Sequence, residues 1–404
     1  MSDLSGRRIR IALVAGEASG DLLGAHLLVA LKERMPRLEA FGIGGPRMQS
    51  VGMQSWYPME WLAVRGYVEV IRSLPKLLRL RRELKNRLLA DPPDLFIGID
   101  APDFNLDLEM ALRAGGITTV QYVSPAIWGW RGERIHKIKR AVSKILAVFP
   151  FEPAIYERAG VPVAYVGHPL ADEFPEYPDR NAAREQMRIS PKQTVVAILP
   201  GSRQSEVREM GELFIATARL VAEQIPNTLF LVPLVSRETR NIFERAIYRQ
   251  QAEALPITIL FGHAQMAMTA ADAVLVASGT ATLEAALLKR SMVISYKMPR
   301  LSAWIMRRKA HRPYAGLPNI LAGEFVVPEL LQEDATAENL AQALCNQLQD
   351  KEVRKRLANR FLEIHRSLRQ DTAKLALEAI LPLLNAVRTP APAAPTPAGE
   401  GMRA

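Results

Sequence analysis

The chain has 404 residues, 49% hydrophobic and 23% charged, which is long enough for two domains with sizeable cores. Its single cysteine, Cys345, excludes a disulfide framework and any cysteine-based metal cluster, and it points to a reducing compartment. The net charge of +10 favours an anionic partner, but no helix-turn-helix, zinc finger or aromatic RNA platform is present, which argues against nucleic acid.

No stretch reaches the roughly 18 apolar residues that a membrane span requires. Met1–Arg10 is polar and Ile11–Ala15 is short, so no signal peptide is expected. Arg8–Ala15 reads as a strand that enters the turn Gly16-Glu17-Ala18-Ser19-Gly20-Asp21 and a helix to about Lys32. Gly, Ser and Asp there suit a tight turn that directs backbone N–H groups at a crevice, which makes Glu17 and Ser19 candidate cleft residues. The turn departs from G-x-G-x-x-G, so no dinucleotide is inferred. Leu38–Ile43 is a second strand. Val68–Leu89 reads as a long amphipathic helix broken or kinked near Pro75, with seven Lys/Arg between Arg72 and Arg87.

Asp94–Asn105 is the stretch on which the chemistry is placed. Leu95–Ile99 is a short apolar run with the character of a buried parallel strand, and Pro102 stops it just after Asp100. Polar groups beyond the carboxyl ends of parallel strands face the ligand crevice of open α/β sheets. Asp100 or Asp103 could instead cap a helix over Phe104–Ala114, and Asp103 suits that role better, leaving Asp100 free. Strand Thr118–Val123 then ends in the loop Ser124–Arg131, which brings Ser124 and Trp128 to the same edge. Lys144–Val148, helix Phe151–Arg158 and strand Val163–Val166 complete one βα-alternating half. None of the six histidines has metal-ligand spacing, and His168 alone falls beside the expected cleft.

Phe174–Asp179, with two prolines and two acids, reads as a linker. Strands then recur at Val195–Leu199, Thr228–Val232, Ile257–Phe261, Ala273–Val276 and Met292–Tyr296. Leu199-Pro200-Gly201-Ser202-Arg203 opens a helix to about Glu223, whose N-terminus with Arg203 suits a phosphate; a merely solvated Arg203 is the plainer reading. Ala277-Ser278-Gly279-Thr280-Ala281-Thr282-Leu283-Glu284 repeats that design, with Glu284 either accepting from ribose hydroxyls or serving as an ordinary capping acid. Two phosphate-type turns in one half suggest a nucleotide diphosphate between them. Thr336–Leu384 reads as helical and Thr389–Ala404 as disordered. With no Walker A, H-E-x-x-H or Gly-x-Ser-x-Gly motif, and no acidic cluster, neither metal nor cofactor is expected.

With those residues in view, the chain resembles the lipid A disaccharide synthases, inverting glycosyltransferases of the GT-B architecture. The resemblance rests on 14–21 (VAGEASGD), 98–105 (GIDAPDFN), 122–128 (YVSPAIW), 199–203 (LPGSR), 277–284 (ASGTATLE) and 317–323 (LPNILAG), in order from about Ile9 to Arg369. It implies an α/β fold with two Rossmann-like domains facing an inter-domain cleft, plus C-terminal helices. The expected divisions are 1–173 for the acceptor and lipid, 174–335 for the UDP-sugar, 336–387 for helices packed across domains or exchanged in a dimer, and a tail at 388–404.

The implied reaction condenses UDP-2,3-diacylglucosamine with 2,3-diacylglucosamine 1-phosphate to the β-1,6-linked disaccharide phosphate and UDP. The resemblance makes Asp100 and Arg203 necessary for activity and places Glu284 and Asn319 beside UDP, with Gly201, Ser202, Ser278, Gly279 and Thr280 in the two turns. Asp103 and Asn105 join Glu17, Ser19, Ser124 and Trp128 on the acceptor side. It further implies a homodimer at the cytoplasmic face of the inner membrane of Gram-negative bacteria. The helix over 68–89 offers Arg72, Lys76, Arg79, Arg81 and Arg82 to such a surface, and Ser302–Arg312 adds Trp304, Arg307 and Arg308; a core-facing stripe with a solvated back is the plainer reading. A GT-B-type UDP-sugar epimerase and a non-catalytic UDP-sugar or lipid-binding protein are the rival readings.

Overall fold

The computed structural model describes residues 7–62, 67–129, 132–277, 279–298 and 313–386, and for 67–73 the backbone alone. Ser278, Trp304, Arg307 and Arg308, the side chain of Arg72 and the 388–404 tail lie outside the described residues.

The first half alternates β1 (Ile9–Ala15), α1 (Ala18–Arg34), β2 (Leu38–Ile43), α2 (Pro46–Ser50), β3 (Gln54–Ser55), α3 (Tyr67–Ala90), β4 (Leu95–Ile99), α4 (Pro102–Ala114), β5 (Thr119–Tyr122), α5 (Ile135–Ala141), β6 (Lys144–Ala147), α6 (Pro153–Arg158), β7 (Val163–Tyr165) and α7 (Pro169–Glu173). Its strands form one parallel sheet in the order β3-β2-β1-β4-β5-β6-β7. After 174–179 come α8 (Arg180–Gln186), β8 (Thr194–Leu199), α9 (Gln204–Gln224), β9 (Thr228–Leu234), α10 (Arg237–Arg249), β10 (Ile257–Phe261), α11 (Ala264–Ala270), β11 (Ala273–Ala277), α12 (Thr280–Leu287), β12 (Ser291–Tyr296), α13 (Leu317–Ala322) and β13 (Glu329–Leu331). The second sheet is parallel too, in the order β10-β9-β8-β11-β12-β13. Helices α14 (Ala337–Gln349), α15 (Lys351–Leu368) and α16 (Thr372–Ala386) close the described chain.

β1, β4 and β11 are buried along nearly their whole length, which is why they read as unbroken apolar runs rather than alternating ones. One apolar core runs from Ile97 and Leu146 through Val195, Val276 and Ile294 to Phe361 and Leu384, so both sheets and the last helices share it. The chain order reverses between β1 and β4 in one sheet and between β8 and β11 in the other. These are the switch points at which open α/β sheets open a crevice at the strands' carboxyl ends.

Helix α3 runs through Pro75 without ending there, so of the break or kink expected from the sequence the break does not occur. Leu80, Leu84 and Leu88 form its buried stripe, while Leu74 and Leu78 are exposed. Helix α16 returns to the first sheet. Thr372 N–H donates to Asp172 Oδ2 (2.7 Å), Lys144 Nζ donates to the Ala379 carbonyl (3.1 Å), and α16 packs on α1.

Candidate active site

At the first switch point the registers of β1 and β4 pair Ala15 with Ile99, so the two following turns lie side by side. A Cβ on Gly16 would sit 2.9 Å from the Cβ of Ala101. Asp100 and Ala101 both adopt left-handed backbone angles, φ 52 and φ 44, before α4 begins. Non-glycine residues there are uncommon and concentrate at functional sites. The turn takes Asp100 out of the strand, and its N–H remains bonded to the Tyr122 carbonyl at 2.9 Å. Burial raises the Asp100 pKa, the charge of Glu17 raises it further, and the Ala101 N–H pulls the other way.

Glu17 is half-buried just before α1 and does not cap the helix; Ser19 is exposed in its first turn. Asp103 does not cap α4 either. Ala101 holds the N-cap position without a side-chain bond, and Asp103 pairs with Arg134. Two expected cleft residues point inward instead. Asn105 is fully buried, and its Nδ2 donates to the carbonyls of Asp100 (2.9 Å) and Val14 (3.3 Å). Ser124 is buried with its hydroxyl 2.7 Å from that of Tyr156. Trp128 is half-buried. Its Nε1 donates to Glu152 Oε1 (3.2 Å), and its ring stands edge-on to Phe149 and Phe151. Glu152 also accepts from the Val148 and Phe149 N–H groups, yet burial pushes its carboxyl up to about 7. His168 accepts from the Leu170 N–H, and burial pushes its pKa down to about 4, so it is neutral at physiological pH.

At the second switch point β8 and β11 pair Leu199 with Val276, which again brings two turns together. Gly201 has φ 123, and a Cβ there would collide with Glu206, so this turn requires glycine. Arg203 holds the N-cap position of α9 with its side chain half-exposed and 3.5 Å from Glu206 Oε1. Glu206 Oε2 accepts from the N–H groups of Ser202 (3.0 Å) and Arg203 (3.2 Å), so an internal carboxylate sits on the very donors read as a phosphate site. Gly279 precedes α12, and Thr280 begins it. One turn in, Glu284 has no hydrogen-bond or ion-pair partner among the described residues, and burial raises its pKa. Asn319 is fully buried and its amide is saturated. Nδ2 donates to Val327 O and Glu329 Oε1, and Oδ1 accepts from Val326 N–H and Val327 N–H, so the side chain fixes a loop.

On α3, Arg79 pairs with Glu83, Arg81 with Asp107 at 2.6 Å, and Lys76 lies 4.1 Å from the centre of the Trp61 ring; Arg82 is exposed. Arg81 is therefore tied to α4 rather than offered to a surface. Sequence reasoning missed Glu206 and Glu152. Only the first left a usable signal, an acid three residues past a helix start.

The family model for lipid-A-disaccharide synthetase matches residues 11–380. The chain belongs to that family. It is 54% identical over 381 residues to the lipid-A-disaccharide synthase of Dechloromonas aromatica, covering 94% of this chain and all of that one. It is 57% identical over 376 residues to that of Aromatoleum aromaticum, covering 93% of this chain and 96% of the other. Among solved structures, the UDP-GlcNAc 2-epimerase of Neisseria meningitidis bound to UDP-GlcNAc superposes with a TM-score of 0.61. It is 11% identical and covers 93% of this chain and all of that one, a likeness of fold alone. Two parallel-sheet α/β domains with C-terminal helices make this a GT-B glycosyltransferase fold, and the family makes the chain a lipid-A-disaccharide synthase-type transferase.

Proposed function

We propose that the chain transfers the sugar of UDP-2,3-diacylglucosamine to the 6-hydroxyl of 2,3-diacylglucosamine 1-phosphate, with inversion, releasing UDP. The observation that carries this reading is the pair of switch points. One presents a buried-edge carboxylate of raised pKa; the other presents two small-residue turns, an arginine and a glutamate unpaired among the described residues. In an inverting transfer the acceptor oxygen attacks the donor's anomeric carbon, the bond from that carbon to the diphosphate breaks, and the hydroxyl proton goes to a single base. Asp100 is that base, and its raised pKa makes it a better proton acceptor than an ordinary aspartate. The departing diphosphate gains charge, which the Arg203 guanidinium and the positive end of α9 offset in place of a general acid. For a phosphate to use the Ser202 and Arg203 N–H groups, Glu206 must release them. Glu284 accepts from the ribose.

The acylated substrates reach the site from the cytoplasmic face of the inner membrane, where α3 attaches peripherally, and the working form is a homodimer. Exposed Leu74 and Leu78 among Lys76, Arg79 and Arg82 support the attachment. Asp100→Asn tests the base. UDP binding is retained while turnover falls by about two to four orders of magnitude. Near-normal turnover moves the base elsewhere, first to Glu17.

A further inference from the structure

Behind the Asp100 turn lies a buried polar group that the proposed mechanism does not use. Glu109, on α4, is fully buried, and neither of its carboxyl oxygens accepts a hydrogen bond among the described residues. A carboxylate without donors is among the costliest things to bury, whereas a carboxylic acid needs only an acceptor for its proton. Acceptors lie close by. Gly98 of β4 has no side chain, and the space its Cβ would fill is already taken. Glu109 Oε1 would collide with such a Cβ, and Gln121 Oε1 and Asn105 Cβ would each lie 2.9 Å away. Gln121 Oε1 and Asn105 Oδ1 are themselves buried without partners among the described residues. Burial pushes the Glu109 carboxyl up to about 8, opposed by the lesser pull of the Gly98 N–H, which falls short of a hydrogen bond.

The other ends of the two amides reach the reacting edge of the sheet. Gln121 Nε2 donates to the carbonyls of Asp100 (3.1 Å), Tyr122 (3.3 Å) and Val123 (3.2 Å). Asn105 Nδ2 donates to the carbonyl of Asp100 at 2.9 Å and to that of Val14 at 3.3 Å. Three of the residues at these strand ends, Asp100, Ala101 and Val123, hold positive φ. Val123 at φ 71 is a β-branched residue in a region such residues avoid, so the surrounding structure must over-determine the turn. The amide pair supplies that restraint.

We propose that Glu109 is a positioning residue for the transfer: held as the carboxylic acid, it donates its proton to Gln121 Oε1 and so locks the amide clamp that fixes the Asp100 turn. This rests on the reading of Asp100 as the base. The clamp sets where the Asp100 carboxylate stands relative to the acceptor hydroxyl and leaves the UDP turns of the second sheet untouched.

The test uses the full chain and four variants assayed with both acylated sugars. Glu109→Met has similar volume and no proton to donate. It lowers kcat about 10- to 100-fold, as a misplaced base does, while KM for the UDP-sugar stays within about twofold and thermal stability is equal to or above the parent's. Glu109→Gln keeps an N–H for Gln121 Oε1 and restores most of the lost kcat. The double variant Asp100→Asn with Glu109→Met is no slower than Asp100→Asn alone, because Glu109 acts through Asp100. Parental kcat in Glu109→Met overturns the proposal, as does a rate in the double variant equal to the product of the single losses. Loss of kcat only in step with loss of folded protein, unrepaired by Glu109→Gln, overturns it also. Should Asp100→Asn itself keep its turnover, the base reading fails instead, and the two failures are thereby distinguished.

Discussion

Asp100 ionises later than an ordinary aspartate because burial disfavours its charge and Glu17 adds a like charge nearby. A base works ionised, so kcat/KM should rise with pH through that raised pKa, and the acid limb should lie above the usual carboxylate range. Glu17→Gln removes the neighbouring charge and should move the limb to lower pH, by less than the whole shift since burial remains. A pH–rate profile checks this, and an unmoved limb removes Glu17 from the account. Arg203→Lys should recover only part of the activity lost in Arg203→Ala, because a point charge cannot reproduce a planar fork; steady-state kinetics with both substrates measure it. Sequence alone singles out Asp100 and Arg203 as candidates because each follows an apolar run and meets a turn residue. It does not reveal that the side chains of Asn105, Ser124 and Asn319 are buried and hydrogen-bonded within the protein, because a polar side chain at a strand end or helix start can turn toward a crevice or into the backbone beneath it. Only the backbone angles around Asp100 and the saturated amide of Asn319 decide which.

Among elements, the parallel strands were the most legible, since burial on both faces writes an apolar run of strand length. β3 and β13, of two and three residues at sheet edges, are too short to leave a pattern. Helix α3 carries both the core and the surface reading. Its Leu80, Leu84 and Leu88 stripe is core, and Leu84→Ala should cost about 2–5 kcal/mol in chemical denaturation. The other face is tested by reversing Lys76, Arg79 and Arg82 to Glu. Arg81 is left alone because its pair with Asp107 holds α3 to α4. Each basic residue near an anionic surface contributes about 1 kcal/mol, so the triple variant should lose binding to anionic vesicles and keep UDP binding. Vesicle binding that persists unchanged, with no salt dependence in the parent, contradicts a surface role for α3.

For the whole molecule, two raised carboxyls make stability depend on pH. Glu109 and Glu152 ionise near 8 and 7 in the folded chain against an ordinary value of 4.5, so the folded state holds protons that the unfolded state has released. The contribution of these two carboxyls to stability therefore declines as pH rises from about 4.5 through 7 and 8. Glu109→Gln should flatten the upper part of that decline in thermal melts taken from pH 5 to pH 9. Helix α16 joins the last helices to the first sheet through Asp172 and Lys144, so the first half depends on residues some 200 positions away. That return was not legible from local pattern, which gives a helix but not the surface it covers. Incubating the protein with UDP-2,3-diacylglucosamine and 2,3-diacylglucosamine 1-phosphate, followed by mass analysis, tests the central claim most directly. The parent should yield the β-1,6-linked disaccharide phosphate and UDP in equal amounts, and Asp100→Asn should yield neither at a comparable rate. UDP released without disaccharide, or disaccharide formed as fast by Asp100→Asn, would contradict it.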